Sequence, residues 1–147
     1  MLKQLGLITA VFLFVAGVAL AEGPPVGSFK TVKGTASIVT GGQTVAASVG
    51  MKVHQKDQVI TGPDGSVGII FKDNTRLSLG PNSQIVIDAY VFAPAEGNFS
   101  MVTRITRGTA AYISGKMGKL APEAVRFNTP SASLTIRGTH FVARVKE

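Results

Sequence analysis

The sequence predicts an all-β protein, and three observations support this prediction. Apolar and polar residues alternate with a period of two along most of the chain, most clearly at Val67, Ile69 and Phe71. Turn sequences rich in Gly, Pro, Asn and Asp interrupt the alternation roughly every eight to ten residues. A basic-Gly-Thr tripeptide opens three of the runs. We therefore expect a compact two-sheet sandwich or a β-solenoid-like stack of short strands, preceded by an N-terminal signal helix.

The N-terminal segment has the order of parts found in a secretory signal peptide. Lys3 is followed by an apolar run from Leu5 to Leu20, and Ala19-Leu20-Ala21 forms a small-x-small cleavage site. We predict a signal peptide over residues 1–21, cleaved near Ala21/Glu22. The alternative is an uncleaved membrane anchor, because a spanning helix needs roughly 17–25 apolar residues. Cleavage predicts a periplasmic or secreted bacterial protein.

The rest of the chain is predicted to be one domain. Residues 22–30 are expected to be a linker, because Pro24-Pro25 breaks regular structure, and residues 31–147 are expected to form the β domain. Alternating runs predict strands over residues 35–40, 43–49, 58–61, 66–72, 76–79, 84–88, 101–106, 108–114 and 125–129, and on both sides of residues 137–139. Gly41-Gly42 predicts a hairpin turn, and residues 93–98 and 115–122 are predicted loops.

The tripeptide glycines Gly34, Gly108 and Gly138 lie within or at the mouths of the predicted strands. Glycine at such a position indicates a bulge or a sharp bend that redirects the strand. Because the spacing between the three glycines is irregular, a regular repeat solenoid is disfavoured.

Composition argues against several classes of function. The chain has 147 residues, no cysteine, no tryptophan and a formal net charge of +7. Without cysteine it forms no disulfide or cysteine-ligated iron–sulfur cluster. Its positive charges are scattered singly and its aromatic residues are few, whereas nucleic-acid readers carry a basic stripe with stacking aromatics. We expect no nucleic-acid partner, no cofactor and no metal. Membrane contact is expected only through the signal segment, if it is uncleaved.

No combination of residues matches a catalytic template. The two histidines, His54 and His140, are far apart in the sequence, and no serine lies in a Gly-x-Ser-x-Gly turn. Asp57, Asp64 and Asp73 are predicted to be turn residues whose carboxylates accept hydrogen bonds from nearby backbone amides. We therefore expect a protein that is not an enzyme.

Several segments, in order, resemble the FecR domain family. The resemblance runs through Gly34-Thr35-Ala36, Gly50, Asp57 to Gly62, Ser66 to Leu79, Arg107-Gly108-Thr109, Phe127 to Pro130 and Ile136 to Val142. It covers about 110 residues, and the Arg-Gly-Thr-x-Phe close is its most specific part. The resemblance implies an all-β periplasmic module. In iron-uptake regulators this module relays a signal from an outer-membrane receptor to an inner-membrane anti-sigma protein.

The resemblance also guides the expected function. FecR regulators have a cytoplasmic helical domain before the membrane segment and a further periplasmic domain after the β module. Here four residues precede Leu5 and five follow Val142, so we expect a stand-alone exported FecR-like domain. Its expected role is non-enzymatic protein binding, sensing or scaffolding, with an envelope protein as partner and an oligomeric state that the sequence leaves open.

The expected partner face lies around the C-terminal motif, and the partner would bind an exposed strand edge or sheet face. Its predicted residues are Arg137, Gly138, Thr139, His140, Phe141 and Arg144. Two further functions stay open. One is a membrane-anchored regulator in a sigma-factor pathway, and the other is binding of an envelope polysaccharide, helped by the positive charge. An enzyme is the third alternative.

Overall fold

A computed structural model describes residues 23–146, and most of this span is β-strand. The predicted signal peptide and its cleavage site lie outside the described residues. The strands are β1 (Gly27–Lys33), β2 (Ala36–Thr40), β3 (Gln43–Ala46), β4 (Lys52–Val53), β5 (Gln58–Thr61), β6 (Ser66–Phe71), β7 (Arg76–Leu79), β8 (Gln84–Ala93), β9 (Asn98–Ile113), β10 (Val125–Asn128), β11 (Ser133–Thr135) and β12 (His140–Val145). A short helix, α1 (Lys116–Leu120), and two 3-10 turns, Pro94–Glu96 and Pro122–Ala124, join them.

The all-β prediction is confirmed, and the strands form one connected sheet that curls into a half-barrel. One side, the β12 wing, has the order β4-β1-β6-β7-β9-β12, and the other, the β8 wing, has the order β3-β2-β5-β8-β9-β10-β11. The two-sheet sandwich is not confirmed, because both wings share β9. All pairs are antiparallel except β9 with β10, unlike the parallel ladders of a regular β-solenoid.

The three tripeptide glycines mark places where the chain passes from one wing to the other. Gly34 separates β1 from β2, Gly108 lies within β9, and Gly138 separates β11 from β12. Their φ angles are 62°, 84° and 122°, values that L-residues rarely adopt. The predicted bends are therefore confirmed. The runs 101–106 and 108–114, which the sequence predicts as two strands, form the single strand β9, bent at Gly108.

Two other expectations differ from the structure. Residues 27–30 of the predicted linker belong to β1, where Phe29 is 1% exposed and pairs with Ile69 of β6. The preceding proline pair favours a linker in the sequence-based prediction, but pairing with β6 and burial of Phe29 stabilise a strand here. The predicted loop 115–122 contains α1, whose first backbone amides bond to Asp73, far away in the sequence.

The inner faces of both wings share one hydrophobic core. Alternate residues of each strand point into it, as Val67, Ile69 and Phe71 do in β6. Aromatic rings connect the wings: Tyr112 of β9 lies 5.4 Å from Phe127 of β10, measured between ring centroids, in an edge-on arrangement. Fully burying one such side chain contributes about 1.5–3 kcal/mol, so this shared core is the main source of stability.

Candidate functional site

The strand β12 forms an unpaired edge of the sheet. It pairs with β9 on one side, and no strand of residues 23–146 pairs with its other side. The other edge strands in this part of the chain, β3, β4 and β11, have four, two and three residues, whereas β12 has six. Natural proteins usually shorten or cover such edges, since the unpaired N–H and C=O groups can pair with another chain.

A groove of about 580 Å³ runs beside this edge. One wall is β12, from Phe141 onward to Lys146, and the other is the β10–β11 turn with Leu134. Apolar side chains line much of the groove, and Val142 is 55% exposed. Because neighbouring strands lie about 4.8 Å apart, a strand added to β12 would occupy this space.

The turn that forms the far wall is held by short-range hydrogen bonds. The Thr129 amide donates to the Ala132 carbonyl at 2.8 Å, and the Ala132 amide donates to the Thr129 hydroxyl at 3.1 Å. The Ser133 hydroxyl donates to the Asn128 side-chain oxygen at 2.7 Å. Pro130 also fixes its own φ within this turn. The groove therefore has a preformed wall.

Aromatic packing holds β12 itself in place. Phe141 packs on Phe127 of β10 at a centroid distance of 6.1 Å, and Phe127 in turn packs on Tyr112 of β9. Ala143 is buried between these inward side chains and the core. Ring contacts thus attach the edge strand to both wings.

The structure divides the predicted partner face among three places. Arg137, Gly138 and Thr139 are exposed in the connection before β12 and line a separate shallow cavity beside α1. His140 and Arg144 point outward from β12, whereas Phe141 points inward. Of the six predicted residues, Phe141 and Arg144 line the groove.

Several residues of the groove are absent from the predicted face. They are Thr129, Pro130, Ser131, Leu134, Val142, Ala143, Val145 and Lys146. The Thr-Pro strand end is visible in the sequence, but its position opposite β12 depends on the parallel pairing of β10 with β9. No local signal in the sequence gives that pairing.

Comparison with known protein families shows which family this chain belongs to. The family model described as "FecR protein" matches residues 57–147, more than half of the chain. The chain belongs to the FecR family. No curated protein and no solved structure gives a significant match. FecR membership relates this chain to regulatory proteins of sigma-factor signalling.

The match defines which strands are typical of the family. It begins at Asp57 and so covers β5 to β12, including both walls of the groove. The resemblance at Gly34 and Gly50 lies outside it. Strands β1 to β4 nevertheless belong to the same sheet, because β1 pairs with β6 and β2 pairs with β5.

A buried polar cluster in the FecR domain centres on Asp73, which is 0% exposed. Its carboxylate accepts hydrogen bonds from the Tyr90 hydroxyl at 2.8 Å, the Thr75 hydroxyl at 2.6 Å and the Met117 amide at 3.0 Å. Burial, followed by the hydrogen bond to Asp73, raises the pKa of Tyr90 far above its ordinary value. Both carboxylate oxygens have donors, and the buried cluster connects the β6–β7 turn with β8 and α1.

The other two aspartates that are predicted to be turn residues also accept backbone amides, but only the partner of Asp57 is nearby along the chain. Asp57 accepts the His54 amide at 2.7 Å, and Asp64 accepts the Thr35 amide at 3.3 Å. His54, Asp57 and Tyr90 line a cavity of about 500 Å³. Nδ1 of His54 lies 3.7 Å from a carboxylate oxygen of Asp57.

Within residues 23–146, no group of three or more His, Cys, Asp or Glu is placed to hold a metal ion. No helix in the same span is long and apolar enough to cross a membrane.

Proposed function

We propose that this FecR domain is an exported, non-enzymatic protein-binding module of bacterial envelope signalling. A protein partner binds by adding an extended segment to β12. One observation carries the proposal: the longest unpaired edge strand among residues 23–146 faces an open groove of about 580 Å³. Main-chain hydrogen bonds to such an edge supply affinity, and the pockets for alternate side chains supply specificity.

The side chains of the groove support a strand as ligand. An added strand would direct alternate residues toward the apolar surface of Leu134 and Phe141, which are both half-buried. It would direct the others toward Val142 and Arg144 on the outer side. Since the wall and the edge are both held by internal contacts, little ordering of the domain opposes binding.

Family membership supports the signalling part of the proposal. FecR proteins act in sigma-factor regulation, and that role requires recognition of another protein. The predicted signal peptide supports export to the periplasm. There the domain acts as a relay or a scaffold.

Site-specific photocrosslinking in the native host tests the site of binding. A photoreactive residue replaces Val142 at the edge or, as control, Ile113 of β9. Ile113 lies on the same outer face, is 46% exposed and does not line the groove. We expect a discrete protein adduct from position 142 in the periplasmic fraction and none from position 113. Equal adducts from both positions, or no adduct from position 142, would contradict edge binding.

Two further measurements test the mechanism and the location. Once the adduct identifies the partner, hydrogen exchange of the β12 amides is compared with and without it. Strand addition predicts slower exchange in β12 and no change in β3, a four-residue edge strand elsewhere. The N-terminus of the purified native protein is expected at Glu22. Retention of residues 5–20 in the inner membrane would support an anchored regulator instead.

A further inference from the structure

The outer face of the β12 wing has a regular pattern that shares only Val142 and Arg144 with the groove beside β12. The register between strands places outward residues in three rows across the sheet. The first row contains Ser28, Ile70, Arg76, Ile113 and His140, with Lys52 beside Ser28. The second contains Thr31, Gly68, Ser78, Ala111 and Val142. Lys33 and Arg144 lie at opposite ends of the third.

The charges on this face all have one sign. Lys33, Lys52, Arg76 and Arg144 are exposed, and no ion pair within residues 23–146 includes them. Asp64 lies in the turn before β6, where its carboxylate accepts the Thr35 amide hydrogen. Asp73, three residues before Arg76, and Asp57, five residues after Lys52, are both buried. The outer face of the β8 wing differs, because Arg104 there pairs with Asp88 at 3.2 Å.

A shallow groove of about 260 Å³ lies at the β1 end of the first row. Lys52 and Lys72 line it together with Ser28, Ile70 and Asn74. No carboxylate lines it, since the neighbouring Asp73 is fully buried and bonded to Tyr90 and Thr75. Arg76 does not line this groove, but it pairs with Ile70 across β6 and β7 and so adds a third cation beside it.

We infer that this face binds an acidic polysaccharide, with one acidic group held between Lys52 and Lys72 and the chain lying across the strands. The second row is small except at Val142, which leaves a path for an extended polymer over β1, β6, β7 and β9. Four strand spacings of about 4.8 Å give a path of roughly 19 Å from β1 to β12. Hydroxyl groups of Ser28, Thr31 and Ser78 are available to bond sugar hydroxyls.

The same face fits other anionic partners poorly. Its rows contain no Phe, Tyr or Trp side chain on which a base could stack, and such stacking is typical of single-stranded nucleic-acid sites. A membrane-surface site needs a broad apolar face with aromatic anchors, and here the exposed apolar residues are Ile113 and Val142. A polyanion with hydroxyl groups matches both the charge and the polar side chains.

Binding of decagalacturonate, a carboxylated oligosaccharide, tests the inference with the mature protein. We expect measurable binding by calorimetry at low salt that weakens as ionic strength rises, and no binding of a neutral dextran of equal length. The variant Lys52→Gln/Lys72→Gln is expected to weaken binding about tenfold. The control Lys119→Gln/Arg126→Gln removes the same charge from exposed positions elsewhere and is expected to change binding less than twofold.

A third variant tests the path without a change in charge. Ser78→Tyr fills the centre of the second row at an exposed position and is expected to weaken binding several-fold. Failure to bind decagalacturonate, equal losses in both double variants, or an unchanged Ser78→Tyr affinity would overturn the inference. Stronger binding to phosphatidylglycerol vesicles or to single-stranded DNA would assign the face to a membrane or a nucleic acid. None of these variants alters the groove beside β12, so this result is independent of the protein-binding proposal.

Discussion

The chain uses the tripeptide Arg-Gly-Thr twice, and the two copies have different surroundings. Both bend the backbone where it changes wings, with φ angles of 84° at Gly108 and 122° at Gly138. At Gly108 an added Cβ would overlap the Ser83 side chain and the Asn82 carbonyl, whereas no atom lies within 4 Å of one added at Gly138. The same three residues therefore form a crowded, partly buried corner at Gly108 and an open, exposed corner at Gly138.

Hydrogen bonds reinforce the difference between the corners. The Thr109 amide donates to the Ser83 hydroxyl at 2.9 Å, and the Gly80 amide donates to the Thr109 carbonyl at 3.1 Å. At the open corner the Thr139 carbonyl accepts the Ser114 amide at 2.9 Å, and the Arg137 side chain is exposed. A local motif thus specifies the bend, and the neighbouring strands determine how rigid the bend is.

The largest effect is expected from Gly108→Ala. The left-handed backbone costs about 1–2 kcal/mol for an L-residue, and crowding against Ser83 and Asn82 adds about 1–3 kcal/mol. We expect the free energy of unfolding to fall by about 2–5 kcal/mol in chemical denaturation. Gly50→Ala is a matched control, because Gly50 has φ 86° and no atom within 4 Å of its added Cβ. Equal losses of unfolding free energy in the two variants would mean that crowding against Ser83 and Asn82 does not add to the destabilisation by Gly108→Ala.

A smaller effect is expected from Gly138→Ala. Only the backbone conformation opposes this substitution, so the expected loss is about 1–3 kcal/mol. Thermal unfolding of the Gly138→Ala and Gly108→Ala variants, measured side by side, checks which substitution lowers stability more. Arg137→Ala, a change to an exposed side chain in the same tripeptide, is expected to stay within about 0.5 kcal/mol of the wild type. A loss at Gly138 equal to that at Gly108 would remove the distinction between the corners.

The smallest effect concerns the third tripeptide, Lys33-Gly34-Thr35, and depends on pH. The hydrogen bond from the Thr35 amide lowers the pKa of the exposed Asp64 carboxyl below its ordinary 3.8. A lowered pKa in the folded state means that the carboxylate stabilises the fold above its ordinary pKa. This stabilisation disappears as pH falls through the lowered value. We therefore expect the urea midpoint of the wild type to fall more between pH 4 and pH 2 than that of Asp64→Asn.

Glu96→Gln, a change to an exposed residue in the 94–96 turn, is the control for that measurement. It is expected to keep the pH dependence of the wild type. Identical dependence of the urea midpoint on pH in the wild type and Asp64→Asn would show that the charge of the Asp64 carboxylate does not strengthen its hydrogen bond with the Thr35 amide.

The sequence predicts the local features of this fold better than the pairings. The alternation at Val67, Ile69 and Phe71 indicates both the strand and its buried face, because period two is a property of the strand itself. The bends at Gly108 and Gly138 are likewise local. In contrast, β1 is missed because its stability comes from β6, and α1 is missed because Asp73, 44 residues from Met117, holds its first turn.

For the candidate site too, the sequence predicts local features but not the strand pairings. The sequence indicates that His140 and Arg144 share an outward face of the last strand, because alternation fixes the side on which each residue lies. It does not indicate that one side of β12 lacks a neighbouring strand among residues 23–146, or that the turn at Pro130 faces it across a groove. Both facts follow from β9, which pairs with β7 and β12 along one half and with β8 and β10 along the other.

The uninterrupted backbone of β9 has a mechanical consequence. A partner strand on β12 would lie parallel to the axis of the C-terminal half of β9, so a pull along it would load several hydrogen bonds in shear at once. From there the tension would pass through the covalent backbone at Arg107 and Gly108 into the opposite wing. A pull from a tethered partner would therefore reach both wings along one continuous strand.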